Sequence, residues 1–411
     1  MELRIIEDIA VYDKFVLNSP YVHYTKTSMW ANTKKMEHYK AHYIGFYINN
    51  ELVGCALGLE NHFYLHKYLY IPNGMCINYN DIKLLQDCLK LLIEYARKLN
   101  VCFLRIDPNV IRCSRDIDGN KITGGIDNEI VTDTFKAMGF RHKGYNFAYD
   151  GSWYNRYTLA IDISKDIQEI KKHFNKQRIT ALNRHNVIGV SCHVGNENDI
   201  NDLMLFEKQL AAIQGFKPHS YEFFKNILDN FKDHARLYVV TLNIDKMIDG
   251  ITNELNSKKY AKDLEARKAK ENELAKAYEL KKKYPDNIVK LACGLFVYYG
   301  YKSFDLYTYN HKDFNYLKPV DNLHYFAISD LKDHKVTYYD MCGFSGLTNK
   351  DDPHYGLYSY KKSFGSQFIE HIGEFDYVYD DRQYLLFKKC KSLNYHYHHF
   401  LNNIIYKKDK S

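Results

Sequence analysis

Val101-Cys102-Phe103-Leu104-Arg105-Ile106-Asp107-Pro108 is a run of apolar, β-prone residues that stops at a proline, which has no N–H to give to a sheet ladder. The pattern predicts a strand with Asp107 at its end, a place where α/β folds commonly carry functional groups. Just upstream, Leu85, Cys88, Leu89, Leu92, Tyr95, Ala96 and Leu99 recur at three- and four-residue steps, so Ile82 to Leu99 reads as a helix with one buried face. Tyr43 to Ile48 and Val53 to Leu59 read as extended. The first 150 residues therefore alternate strands and helices, and a second round of similar elements begins after Tyr157.

A chain of 411 residues is too long for one ordinary core and predicts at least two domains. Hydrophobic residues at 45% and charged ones at 26% place it among globular proteins rather than disordered or fibrous ones. The longest apolar runs, such as Leu291 to Val297, are too short to span a bilayer, and the start Met1-Glu2-Leu3-Arg4 has no signal-peptide stretch, so an unexported, cytoplasmic protein is expected. Nine cysteines scattered singly, with no CxxC pair, fit reduced thiols better than a disulfide framework or a zinc site. The net charge of +7 favours an anionic partner such as tRNA, a nucleotide sugar or an acidic lipid face.

From Ile244 to Tyr284 the composition turns rich in Lys, Glu and Ala, with Ile244, Ile248, Ile251 and Leu255 spaced as on one helix face. Pro285-Asp286-Asn287 stops the pattern before the strand-like Leu291 to Tyr299. An antiparallel helical hairpin with a turn near Asn256 to Lys259 is the simplest arrangement, either an RNA-facing arm or a solvated spacer. Lys171, Lys172, Lys176, Arg178 and Arg184 could meet RNA phosphates or form the polar face of a helix whose apolar stripe is Ile170, Phe174, Ile179 and Leu182. Three histidines in Asn394 to His399 lack a recognised ligand spacing, and an aromatic terminal helix is the better reading.

Tyr339-Asp340-Met341-Cys342-Gly343-Phe344-Ser345-Gly346, then Gly356-Leu357-Tyr358-Ser359-Tyr360-Lys361, then Ile372-Gly373-Glu374-Phe375 resemble the C-terminal signature of the Fem-type aminoacyltransferases. Ser28-Met29-Trp30-Ala31-Asn32-Thr33-Lys34 resembles the family's early Trp-Ala element, and Phe103 to Pro108 its strand ending in Asp-Pro. The arm ahead of Leu291-Ala292-Cys293-Gly294-Leu295-Phe296 is similar to the FemA and FemB branch. The resemblance implies an α+β fold of tandem GNAT (acetyltransferase-like) domains with an inserted antiparallel, coiled-coil-like helical arm. Residues 1–150, rejoined by 372–411, would form the first domain, 151–371 the second, and 244–286 the arm.

It further implies transfer of an amino acid, glycine, alanine or serine, from aminoacyl-tRNA to the stem peptide of a peptidoglycan precursor, lipid-linked or nucleotide-linked, with peripheral contact to the cytoplasmic membrane face. Pairing with itself or with a sister Fem protein stays open. An aminoacyl ester is already activated, so no metal or redox cofactor is expected. Carried over by position, Lys361 and Asp107 are the catalytic candidates, and Lys34, Lys217, His219, Tyr307 and Tyr360 the substrate-binding ones. Lys34, with Lys35 as neighbour, would hold phosphate; where the soluble-precursor enzymes have an arginine, this chain has His219 or Lys217. A tandem acyl-CoA transferase is the competing reading, disfavoured because no Arg/Gln-x-x-Gly-x-Gly phosphate loop is present. A non-catalytic tRNA-binding relative is the other.

Overall fold

The computed structural model describes residues 1–148 and 151–393. The histidine-bearing segment Asn394 to His399 lies outside the described residues.

Among the described residues, two seven-stranded sheets carry the molecule. The first holds β1 (Glu2–Ile5), β2 (Lys40–Ile48), β3 (Glu51–Phe63), β4 (His66–Ile71), β5 (Phe103–Ile106) and β6 (Arg141–His142). The second holds β7 (Tyr157–Asp162), β8 (Val190–Val194), β9 (Ala235–Asn243), β10 (Ile288–Tyr299), β11 (Lys302–Asn310), β12 (Tyr338–Gly343) and β13 (Gln367–Glu370). A last strand, β14 (Phe375–Val378), returns to the first sheet between β5 and β6.

Both sheets follow one plan. Four antiparallel strands meander (β1 to β4, and β8 to β11), one parallel step leads to a fifth (β4 to β5, and β11 to β12), and two antiparallel strands complete the sheet. The parallel steps need crossovers, which the helices Ile82–Lys98 and Pro319–Asp333 supply. This is the tandem arrangement of two GNAT-like sheets in an α+β fold.

Ion pairs fasten the segments exchanged between the halves. Arg105 on β5 grips Asp376 on β14 with two 2.7 Å hydrogen bonds. Glu370, fully buried at the end of β13, receives Arg156 at 2.7 Å, Arg112 at 3.0 Å and Arg115. A buried carboxylate is tolerated when several cations surround it, and these arginines come from both halves. Leu57 and Leu59 of β3 share one apolar core with Leu237, Val239, Leu295 and Phe304 of the second sheet. The sheets therefore pack as one body.

The helical hairpin replaces the tip of the β9–β10 ladder, whose last pair is Asn243 with Ile288. Its first helix, Ile244–Leu255, buries Ile244, Met247, Ile248, Ile251 and Leu255 in the second core, while the long Leu264–Lys283 fully buries Ala277. The turn departs from the simple loop expected at Asn256 to Lys259. A short helix, Lys258–Lys262, intervenes, and Asp263 caps the next helix by accepting from the Ala266 N–H. Arg184 bridges Glu254 at 2.5 Å and Glu273 at 2.6 Å, so the hairpin lies against the helix Lys176–Ile188 rather than standing free. No helix among the described residues is long and apolar enough to cross a membrane.

Candidate functional site

β11 pairs with β12 only where Lys302 to Phe304 oppose Tyr338 to Asp340. Beyond that the two strands part, and a cavity of about 670 Å³ opens between them. Its walls are Asp305 to Asn310 on one side and Met341 to Gly343 on the other, with Tyr360 and Lys361 entering from the helix Tyr355–Lys362. Opposite β10 the register slips so that Leu295 faces Tyr307 and Phe296 faces Asp305, leaving Leu306 as an extra residue. A bulge of this kind re-aims side chains that strict alternation would send to opposite faces. Asp305, Leu306 and Tyr307 consequently all line the cavity.

Lys361 stands under the opposite wall. Its buried ammonium donates to the carbonyls of Met341, Cys342 at 3.1 Å and Gly343 at 2.8 Å. These three carbonyls converge because Cys342 has φ of 60° and the β12–β7 register breaks between Asp340 and Gly343. An ammonium has three N–H donors, and all are engaged by backbone. Burial lowers the pKa of Lys361, while Cys342, Asp305 and Asp340 oppose that shift. Lys361 therefore borders the cavity with its donors already engaged, its charge set behind the wall that it holds together.

A second cavity of about 660 Å³ lies where the halves meet, lined by Trp30, Lys34, Tyr39, Tyr68, Tyr70 and Trp153. Asn155, Leu306, Tyr307 and Cys342 line both cavities, so the two spaces meet there. Tyr307 is fixed at this junction by ring contacts to His219, Phe223 and Phe224 at 5.1, 5.7 and 5.4 Å.

The sequence-selected residues separate by location. Lys34 reaches the second cavity with its ammonium 4.7 Å from the Trp30 ring centre and 2.6 Å from Glu37, whereas exposed Lys35 is not among the lining residues. Tyr360 lines the first cavity, its hydroxyl 3.3 Å from Asp321, which Arg178 also grips. Asp107 is buried behind the second cavity's wall, accepting from the Tyr70 hydroxyl and from the Asn73 N–H at 2.6 Å. Burial, with Glu374 adding to it, pushes its carboxyl up to about 8. Lys217 is exposed and lines neither cavity. His219 is 2.7 Å from buried Glu207, which also takes the His219 N–H at 2.9 Å.

Asp305 was missed by sequence reasoning. Its one signal in the sequence is a charge set between the apolar residues Phe304 and Leu306.

A model of the FemAB family matches residues 8–392. The chain belongs to the FemAB family. Over 408 residues this FemAB protein is 26% identical to the lipid II:glycine glycyltransferase of Staphylococcus aureus strain MRSA252, covering 92% of this chain and 94% of that one; the protein so described from strain USA300 gives the same figures. The crystal structure of FemX superposes with a TM-score of 0.76 at 25% identity, covering 94% of this chain and 99% of FemX. This FemAB protein is an aminoacyltransferase.

Proposed function

We propose that the protein transfers an amino acid, glycine, alanine or serine, from aminoacyl-tRNA to an amine of the stem peptide on a lipid-linked peptidoglycan precursor. The meeting of the two cavities at Tyr307 carries this reading, because transfer needs donor and acceptor on either side of one point. The donor's aminoacyl end enters the cavity walled by Lys361, and the acceptor lies in the aromatic cavity with Lys34 against its pyrophosphate. The acceptor amine attacks the ester carbonyl, a C–N bond forms, and the C–O bond breaks as the ribose hydroxyl leaves with the proton. The positive field of Lys361 favours the oxyanion of the tetrahedral intermediate. Work on a lipid-linked acceptor brings the protein into transient contact with the cytoplasmic membrane face.

Full-length protein mixed with labelled glycyl-, alanyl- and seryl-tRNA and with either lipid-linked or nucleotide-linked precursor tests this. Label on the precursor supports the reading and names donor and acceptor. No label on either acceptor, with tRNA still bound, overturns catalysis; saturable coenzyme A binding without tRNA use would point to an acyl-CoA enzyme.

A further inference from the structure

Two carboxylates line the donor-side cavity, and their situations differ. Asp321 is gripped by Arg178 and hydrogen-bonded by Tyr360. Asp305 accepts a 2.6 Å hydrogen bond from the Thr308 hydroxyl, and among the described residues no cation approaches it within 4.0 Å. The nearby ammonium is that of Lys361, whose three donors already serve backbone carbonyls. His324, also in the wall, is held neutral by burial, its pKa pushed down to about 3. A half-buried carboxylate without a cation is unfavourable, and burial raises Asp305 to about 6. The bulge at Leu306 nevertheless turns it into the cavity rather than away. A wall that stabilises negative charge through Lys361 on one side and offers a bare carboxylate on the other is complementary to a small zwitterion-like group: an ester carbonyl with an ammonium one carbon away.

We propose that Asp305 is the recognition site for the free α-ammonium of the donor's aminoacyl group, so that the cavity selects donors by that charge. The assignment rests on the donor reading of this cavity given above. It gives the enzyme a way to refuse esters whose α-nitrogen is acylated, since an amide supplies no charge for the carboxylate and enlarges the group that must fit. Thr308 is the positioning residue, its hydroxyl fixing the carboxylate rotamer. With a short donor side chain, the ammonium is the main polar feature by which the aminoacyl end can be held at the junction with Tyr307.

Stable adenosine probes test this without any transfer step: 3′-deoxy-3′-glycylaminoadenosine, which carries the ammonium, and its 3′-acetylamino counterpart, which lacks it, each titrated calorimetrically into the full chain. The wild-type protein should bind the glycyl probe about 10- to 100-fold more tightly, the range expected of a hydrogen-bonded charge pair. Asp305→Asn should bind both probes alike, with affinity for the acetyl probe unchanged, and Thr308→Val should lose part of the preference; circular dichroism of each variant checks folding. A wild-type protein that binds neither probe or shows no preference, or an Asp305→Asn protein that keeps the preference, overturns the assignment. Discrimination between the probes with no label reaching either precursor would leave Asp305 as an ammonium site and reject the transfer reading instead.

Discussion

Lys361 donates to the Cys342 carbonyl across 3.1 Å, at a residue whose backbone is left-handed with φ of 60°. A side chain that holds three converging carbonyls is part of the wall it stands under. Lys361→Ala should therefore lower the melting temperature as well as transfer, with activity falling about 100-fold or more, as when one oxyanion-stabilising group is removed. Lys361→Arg should not restore it, because a planar guanidinium cannot point three donors at one side of a turn. Melting curves beside initial rates decide the matter: an alanine variant as stable as wild type would show that the carbonyl contacts contribute nothing.

Asp305 gives a stability signature with a definite sign. Burial pushes its carboxyl up to about 6 in the folded chain, from an ordinary aspartate value of 3.8. Between these values the folded state holds a proton that the unfolded state has released, so stability falls as pH rises through that window and the deficit is complete above it. Asp305→Asn removes the deficit. It should stabilise the protein by about 1–3 kcal/mol at pH 7 and by little below pH 4, as the shift converts at roughly 1.4 kcal/mol per unit. Urea midpoints at the two pH values measure this, and equal gains at both would contradict it. A variant that gains stability while losing donor discrimination is the pattern expected of a site strained for function.

On the proposed acceptor side, Lys34 and Lys217 should part company. Lys34→Ala removes an ammonium from the aromatic cavity and should raise the KM for a pyrophosphate-bearing acceptor about tenfold, near the value of one charge-assisted contact, with kcat little changed. Lys217→Ala, exposed and outside both cavities, should leave both constants alone. His219→Ala should act chiefly on stability, since it strips the ring's 2.7 Å hydrogen bond from buried Glu207 and leaves it the residue-219 backbone N–H at 2.9 Å and the Tyr309 hydroxyl at 3.0 Å. Initial-rate kinetics of the three variants check this, and a Lys217 effect as large as that of Lys34 would refute the placement.

Local pattern made some of this legible from sequence and long-range pairing hid the rest. The helix Ile82–Lys98, the strand ending before Asp107 and the hairpin helices follow from periodicity and breakers within a few residues. The pairing of β14 with β5 joins Arg105 to Asp376, residues far apart in the chain; no window of sequence contains both, and only the family resemblance implied that 372–411 rejoins the first domain. The cavity between β11 and β12 depends on the two strands parting after Phe304, and Asp305 enters it through a register slip against β10. Such a slip is set by the partner strand, so Tyr307 was found only by resemblance and Asp305 not at all.

The docking of the helical hairpin can be tested through two glycines that differ in their surroundings. At a helical position with room for a Cβ, glycine to alanine gains about 0.4–1 kcal/mol because the unfolded backbone loses freedom. Gly356, in the helix Tyr355–Lys362, has nothing within 4 Å of a built Cβ, so Gly356→Ala should show that gain. Gly250, in the helix Ile244–Leu255, would place its Cβ 2.0 Å from the Val187 carbonyl oxygen at the end of the helix Lys176–Ile188. A backbone oxygen cannot step aside as a flexible side chain can. Gly250→Ala must push the helices apart and loosen Ile251 and Leu255 in the core, and should destabilise by about 1–3 kcal/mol, the usual range for overpacking. Calorimetric unfolding of the two variants should shift in opposite directions; a Gly250→Ala protein as stable as the Gly356→Ala one would mean that the hairpin does not pack against that helix in solution.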